Sequence, residues 1–212
     1  LIPIFSRGNY AKLKNIILEL SKCSDCEPIV VIGGTASLDR YGDLRETMKS
    51  NGIINFETLN FVVTGEDLSA MRKTAGLASL EFSNLFEKNS PDIVLILADR
   101  FECLPLAMIA RYSNKCIVHL EGGEVTGSVD DSIRHAISKL SNYHLVANQL
   151  AKEVLESLGE SSGNIFITGS TSFDEFQYAN TDGLAVMRNS QKTLGLGQEL
   201  KLMPKNYGVC IY

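Results

Sequence analysis

The stretch HLEGGEVTGSVDDSIRH, His119 to His135, sets four carboxylates, an arginine and two histidines among glycines, between two apolar segments. Glu121, Glu124, Asp130 and Asp131 all fall within it, and Asp99 closes the preceding apolar run. Carboxylates crowded into one crevice raise one another's pKa. With partial burial, one then holds a proton near neutral pH and serves as general acid while a neighbour serves as base. Asp130 and Asp131 also suit a helix start, where negative charge is favoured and a carboxylate caps free N–H groups. A cap uses one side chain and leaves the others. Over an expected helix from Asp130 to Leu140, Asp130 and Arg134 stand four apart, as do Asp131 and His135, so each pair shares a face. His119 ends a strand, where a core histidine and a catalytic one are both open readings. His144, inside a strand, reads as structural.

Clustered carboxylates are hard ligands for magnesium or manganese. The adjacent Asp130 and Asp131 send their side chains in different directions, however, and no zincin-like histidine spacing accompanies them, so neither a metal nor any other cofactor is expected. Phosphate would be repelled by the acidic loop, whose glycines instead let the backbone approach a neutral group such as a sugar. A phosphate suits Arg7 and Lys12 at the first strand-to-helix turn, where a helix N-terminus adds free N–H groups, and Arg100 beside Asp99 is similarly placed. Gly33-Gly34 lacks the remaining glycine of a dinucleotide fingerprint, which disfavours NAD. Ser128 and Ser132 lack a nucleophile elbow, which disfavours acyl transfer.

These side chains have to be positioned by short apolar, β-branched runs alternating with segments of helical period, the pattern of a doubly wound, Rossmann-like α/β fold with a parallel sheet. Strands are predicted near Leu1–Phe5, Pro28–Ile32, Asn55–Val63, Asp92–Leu97, Lys115–Leu120, Tyr143–Val146 and Asn164–Thr168. Helices lie between them. One of about Tyr10–Leu20 places Leu13, Ile16, Ile17 and Leu20 on a stripe; the longest, about Asp67–Lys88, offers Leu77, Leu80, Phe82 and Leu85 to the core. Ligands of such sheets sit beyond the carboxyl ends of the strands. There lie Arg7, Gly33-Gly34, Asp99-Arg100 and the acidic loop.

A length of 212 residues suits one domain or slightly more. Residues 1–180 read as that domain, 181–205 as a linker and 206–212 as the first strand of a second, truncated domain. A net charge of −5 without basic clusters argues against nucleic acid and anionic membranes as partners. No apolar run is long enough to span a bilayer, so a cytoplasmic protein is expected. Five irregularly spaced cysteines do not suggest a disulfide framework. Cys23-Ser-Asp-Cys26 follows a helix and precedes a strand, which is not the context of a thioredoxin-type motif.

The segments ADRFECLPLA and HLEGGEVTGSVDDSIRHAISKLS resemble the hydrolysing UDP-N-acetylglucosamine 2-epimerases of sialic acid biosynthesis. SRGNYAKL, LDRYGD, MRKTAGLA and ITGSTSFDE add to the likeness, which covers about residues 1–175. The resemblance implies two facing Rossmann-like domains of GT-B type, this chain being the first, with UDP held mainly by the second and the sugar in the cleft. It implies elimination of UDP across C1 and C2 followed by hydration, and a homo-oligomer formed through this domain. Asp99, Glu121 and Asp130 look like the catalytic carboxylates, with Asp131 the alternative to its neighbour. His119 and Arg134 belong to the same signature in supporting roles, and Arg7, Lys12 and Arg100 look like contacts to UDP. Ala98 replaces the family's usual glycine before the aspartate, and Asn9 its usual acidic residue. The isolated chain is expected to be an incomplete, inactive enzyme. A related epimerase of a UDP-linked diacetamido sugar, or a non-catalytic oligomerisation module, are the alternatives.

Overall fold

The computed structural model of the chain describes residues 1–174, Glu66 excepted. The expected linker over 181–205 and strand over 206–212 lie outside the described residues. Among the described residues, seven strands alternate with six α-helices: β1 (Ile2–Ile4), α1 (Arg7–Leu20), β2 (Val30–Ile32), α2 (Leu44–Ser50), β3 (Glu57–Thr58), α3 (Leu68–Asn89), β4 (Ile93–Leu97), α4 (Cys103–Tyr112), β5 (Cys116–Leu120), α5 (Asp130–Leu140), β6 (Tyr143–Val146), α6 (Gln149–Ser157) and β7 (Ile165–Ile167).

All pairings are parallel, in runs β1-β2-β3 and β4-β5-β6-β7. The runs join where the backbone N–H of Leu95 donates to the Leu1 carbonyl at 2.9 Å. The strand order is therefore 3-2-1-4-5-6-7, the doubly wound sheet that the alternation predicts. Winding reverses between β1 and β4, and the crevice at their carboxyl ends is the natural ligand site.

Local chemistry explains the elements. Ser6 caps α1, its Oγ accepting from Asn9 N at 3.1 Å, and Tyr10, Leu13 and Ile17 bury one stripe of that helix. Asp67 caps α3 through Ala70 N at 2.7 Å. The inward face of α3 is Ala70, Thr74, Ala78, Phe82, Leu85 and Phe86. Leu77 and Leu80, expected in the core, are instead exposed, because small residues four apart let the helix approach its neighbours and rotate those leucines outward. Phe82 meets Phe5 and Phe61 in a three-ring cluster with centroids 5.5–6.1 Å apart. Each such pair adds about 0.5–1.5 kcal/mol to the burial of its area. β3 is shorter than predicted, since after Leu59 the chain turns Phe61 into this cluster rather than extending the edge.

Candidate active site

Two non-glycine residues at the ends of neighbouring strands adopt the left-handed backbone: Ala98 after β4 (φ 57°) and Glu121 after β5 (φ 56°). Leu97 and Leu120 are register partners, so both residues occur just past a paired position. The ladder continues into both turns, with Ala98 N donating to Leu120 O at 2.9 Å and Glu121 N to Leu145 O at 2.8 Å. A side chain in this region costs about 1–2 kcal/mol, a kind of strain that clusters at functional turns.

His119 secures the first of these turns. Its ring is fully buried, with Nε2 2.8 Å from the Ala98 carbonyl and Nδ1 3.0 Å from Ser138 Oγ. A carbonyl only accepts, so Nε2 carries the proton, and Nδ1 faces the Ser138 hydroxyl, whose single proton lies between it and the Arg134 carbonyl at 3.1 Å. Burial lowers the His119 pKa to about 4, so the ring is neutral. His119 positions the backbone that presents Asp99 and has no free nitrogen for substrate. His144, buried beside Glu160, is structural as its sequence position predicts.

Arg134 is the organiser of the acidic loop. Its side chain is 3% exposed and donates to the Glu124 carbonyl at 2.6 Å, to Asp131 Oδ1 at 2.7 Å and to Asp99 Oδ2. The expected Asp130–Arg134 pair is replaced by these partners. Asp131 turns back on the loop, accepting from Thr126 N, Thr126 Oγ1 and Gly127 N at 2.7–3.1 Å. Those donors, with Arg134, hold its carboxyl far below the usual carboxylate range. Neither aspartate caps α5 with its side chain, and Asp131 does not turn to His135. Asp130 is exposed and accepts only from Ser128 Oγ at 3.1 Å among the described residues.

Glu121 is 3% exposed and saturated with donors. Lys12 Nζ lies 2.5 Å from Oε2. Ser170 Oγ (2.8 Å), Thr171 N (3.2 Å) and Thr171 Oγ1 (3.1 Å) all reach Oε1. Burial pushes its pKa up, but these donors outweigh burial and leave it lowered. The expectation that crowding raises the carboxylates' pKa therefore fails for Glu121 and Asp131, because each has its own cation and its own N–H or O–H donors. Ser170 and Thr171 are site residues that the sequence marks only by their position after β7, in the GSTS run at a strand's carboxyl end.

The basic residues are divided. Lys12 stands in the crevice against Glu121. Arg100 makes a two-pronged contact with the buried Glu102, at 2.6 and 3.1 Å, which fixes its direction. Arg7 is exposed in the first turn of α1, with its guanidinium over Gly42. Two of the loop glycines are needed by the protein's own packing: a Cβ on Gly123 (φ 80°) would lie 2.2 Å from the Ala151 carbonyl, and one on Gly122 2.8 Å from His119 Nδ1, whereas Gly127 has open space around it. A cavity of about 850 Å³ opens nearby between Thr35, Val62, Arg72 and Phe101. Its wall includes Glu102 but none of Asp99, Glu121 or Asp130. No group of three or more metal-ligating side chains is found among the described residues, nor any helix long and apolar enough to cross a membrane.

A sequence model of the UDP-N-acetylglucosamine 2-epimerase family matches residues 19–212. The chain belongs to that family. A hydrolysing UDP-N,N'-diacetylbacillosamine 2-epimerase of Legionella pneumophila is 35% identical over 181 residues, 83% of this chain and 47% of that protein. A UDP-N-acetylglucosamine 2-epimerase of Neisseria meningitidis is 31% identical over 207 residues, 98% of this chain and 52% of that protein. The fold matches a crystal structure of a UDP-GlcNAc 2-epimerase from Neisseria meningitidis bound to UDP-GlcNAc with a TM-score of 0.75 at 20% identity, over 93% of this chain and 54% of that one. The chain spans about half the length of the relatives it matches.

Proposed function

We propose that this chain supplies the acid/base half of a hydrolysing epimerase that acts on a UDP-linked 2-acetamido sugar, within a two-domain enzyme of GT-B type. The observation that carries the reading is the convergence of Asp99, through Arg134, with the acidic loop, beside a Glu121 kept ionised by Lys12. Elimination across C1 and C2 needs a base at C2 and a place for the departing negative charge. Asp99 Oδ2 faces Arg134 while Oδ1 has no protein donor among the described residues, so Asp99 takes the C2 proton. Asp130, the least engaged carboxylate, is the base for the water that later adds. Asp131 is occupied in building the loop. A departing phosphate ionises near pH 6, so positive charge suffices where a protonated carboxyl was expected. Arg7 in the first turn of α1 provides that charge, together with the helix N-terminus, while Lys12, paired with Glu121, offers N–H donors rather than net charge.

The test is UDP release from UDP-N-acetylglucosamine in deuterium oxide, by a protein in which this chain is continued by the second half of the meningococcal relative. UDP and N-acetylmannosamine deuterated at C2 are expected, both lost in Asp99→Asn. Release indifferent to that change would sink the assignment. The identities to the Legionella pneumophila and Campylobacter jejuni diacetylbacillosamine epimerases, 35% and 32%, favour a second reading in which the sugar carries two acetamido groups. A higher kcat/KM for that UDP-sugar than for UDP-N-acetylglucosamine would select it. The reading also takes the enzyme to be a homo-oligomer through this domain, which sedimentation at several concentrations tests.

A further inference from the structure

We propose that Cys23 and Cys26 form a redox-active dithiol, which exchanges with an external disulfide and closes as an intramolecular bond in the turn between α1 and β2. That turn lies at the edge of the sheet opposite the carboxyl ends that bear the carboxylates, so the site is separate from the epimerase chemistry.

The geometry is that of a β-turn: Cys26 N donates to the Cys23 carbonyl at 3.3 Å. Such a turn brings its first and fourth Cα atoms within about 7 Å, and a disulfide requires about 4.4–6.8 Å. Both residues are exposed, so an external disulfide can reach them. The two sulfurs have different surroundings. The backbone N–H of Asp25 and then the Cys26 thiol donate to Cys23 and lower its pKa, whereas donating to Cys23 raises that of Cys26. Cys23 is thus the attacking thiolate and Cys26 the resolving thiol. The other described cysteines are poorly placed to compete: Cys103 is buried, with its thiol pushed up by that burial, and Cys116 is half-buried.

In the exchange, the Cys23 thiolate attacks one sulfur of the external disulfide and expels the other as a thiolate. Cys26 then gives up its proton to water and attacks the Cys23 sulfur, expelling the second thiolate. Two protein thiols are oxidised and one external disulfide is reduced to two thiols.

The experiment uses the full chain with Cys210, which lies outside the described residues, replaced by serine. It is equilibrated with mixtures of oxidised and reduced glutathione, quenched in acid, alkylated and weighed intact and as peptides. The expected product has lost two hydrogens, is linked between Cys23 and Cys26, and bears no glutathione. Cys26→Ser should trap glutathione on Cys23, and in the reduced protein Cys23 should alkylate on the order of 10-fold faster than Cys26. Glutathione retained separately on both thiols, or equal alkylation rates, would overturn the proposal. Far-UV circular dichroism of each variant excludes misfolding as the cause.

Discussion

Lys12 Nζ meets Glu121 Oε2 at 2.5 Å, joining the first helix to the turn after the fifth strand across 109 positions of sequence. Glu121 is buried while Lys12 remains partly exposed. Removing the lysine leaves a buried charge with neutral donors only. Lys12→Met should lower stability by about 1–3 kcal/mol, discounted for the exposure of the lysine. Adding Glu121→Gln should restore part of the loss. Urea unfolding of the single and double variants checks the coupling; additive losses would show that the pair does not interact.

Ala98 stands where glycine has no steric penalty. Relief of the left-handed strain is partly offset by the greater freedom of glycine in the unfolded chain. Ala98→Gly should therefore stabilise the protein by about 0.5–1 kcal/mol, seen as a higher denaturation midpoint at unchanged slope. Destabilisation would mean that the Ala98 methyl makes contacts worth more than the strain.

Burial keeps His119 neutral with a pKa of about 4, whereas the unfolded chain binds that proton near 6.5. Below the unfolded value the unfolded state holds more protons, so stability falls as pH drops. The contribution is fully present above about 6.5 and is lost towards 4, by about 3 kcal/mol in all. His144, whose pKa burial also lowers, acts in the same direction. Urea midpoints at pH 7.5, 6 and 5 should decline in that order; a flat profile would mean that the folded His119 carries a proton.

The two adjacent aspartates should separate cleanly. Asp130→Asn should leave the fold intact and, in the two-domain protein, lower kcat by about 10²–10⁴-fold, the range of a lost general base. Asp131→Asn should instead expose the loop, increasing amide exchange at Thr126 and Gly127, which donate to it. Equal behaviour of the two variants would contradict the division of roles.

The helix Asp130–Leu140 and strand Tyr143–Val146 are legible residue for residue, because an acidic start, an apolar stripe and a short bounded run with apolar Leu145 and Val146 are local signals. The outward leucines of α3 are not, since small residues at positions 70, 74 and 78 make the buried stripe there, and hydrophobicity alone favours the larger neighbours. Asp99 and Glu121 stand out in the sequence by their places after strands, and Lys12 by the first strand-to-helix turn. The electrostatics of Glu121 is not legible there: whether crowded carboxylates repel or are neutralised depends on donors brought from afar, here Lys12, Ser170 and Thr171. Arg134 was paired with Asp130 by spacing, but three-dimensional packing gave it Asp99, a partner 35 residues away.

The seam between β1 and β4 bears on how the molecule is made. β1 is an interior strand, bounded on one side by β2 and on the other by β4, and Leu95 supplies the backbone bond that joins the two runs. On a ribosome, β1 to β3 emerge before β4 and leave one flank of β1 open, an unpaired edge of the kind that recruits other chains. Closure must wait for the whole of α3 and β4 to be synthesised. The long delay between forming an edge and covering it makes early-chain variants in β1 more hazardous to yield than their effect on the finished fold would indicate.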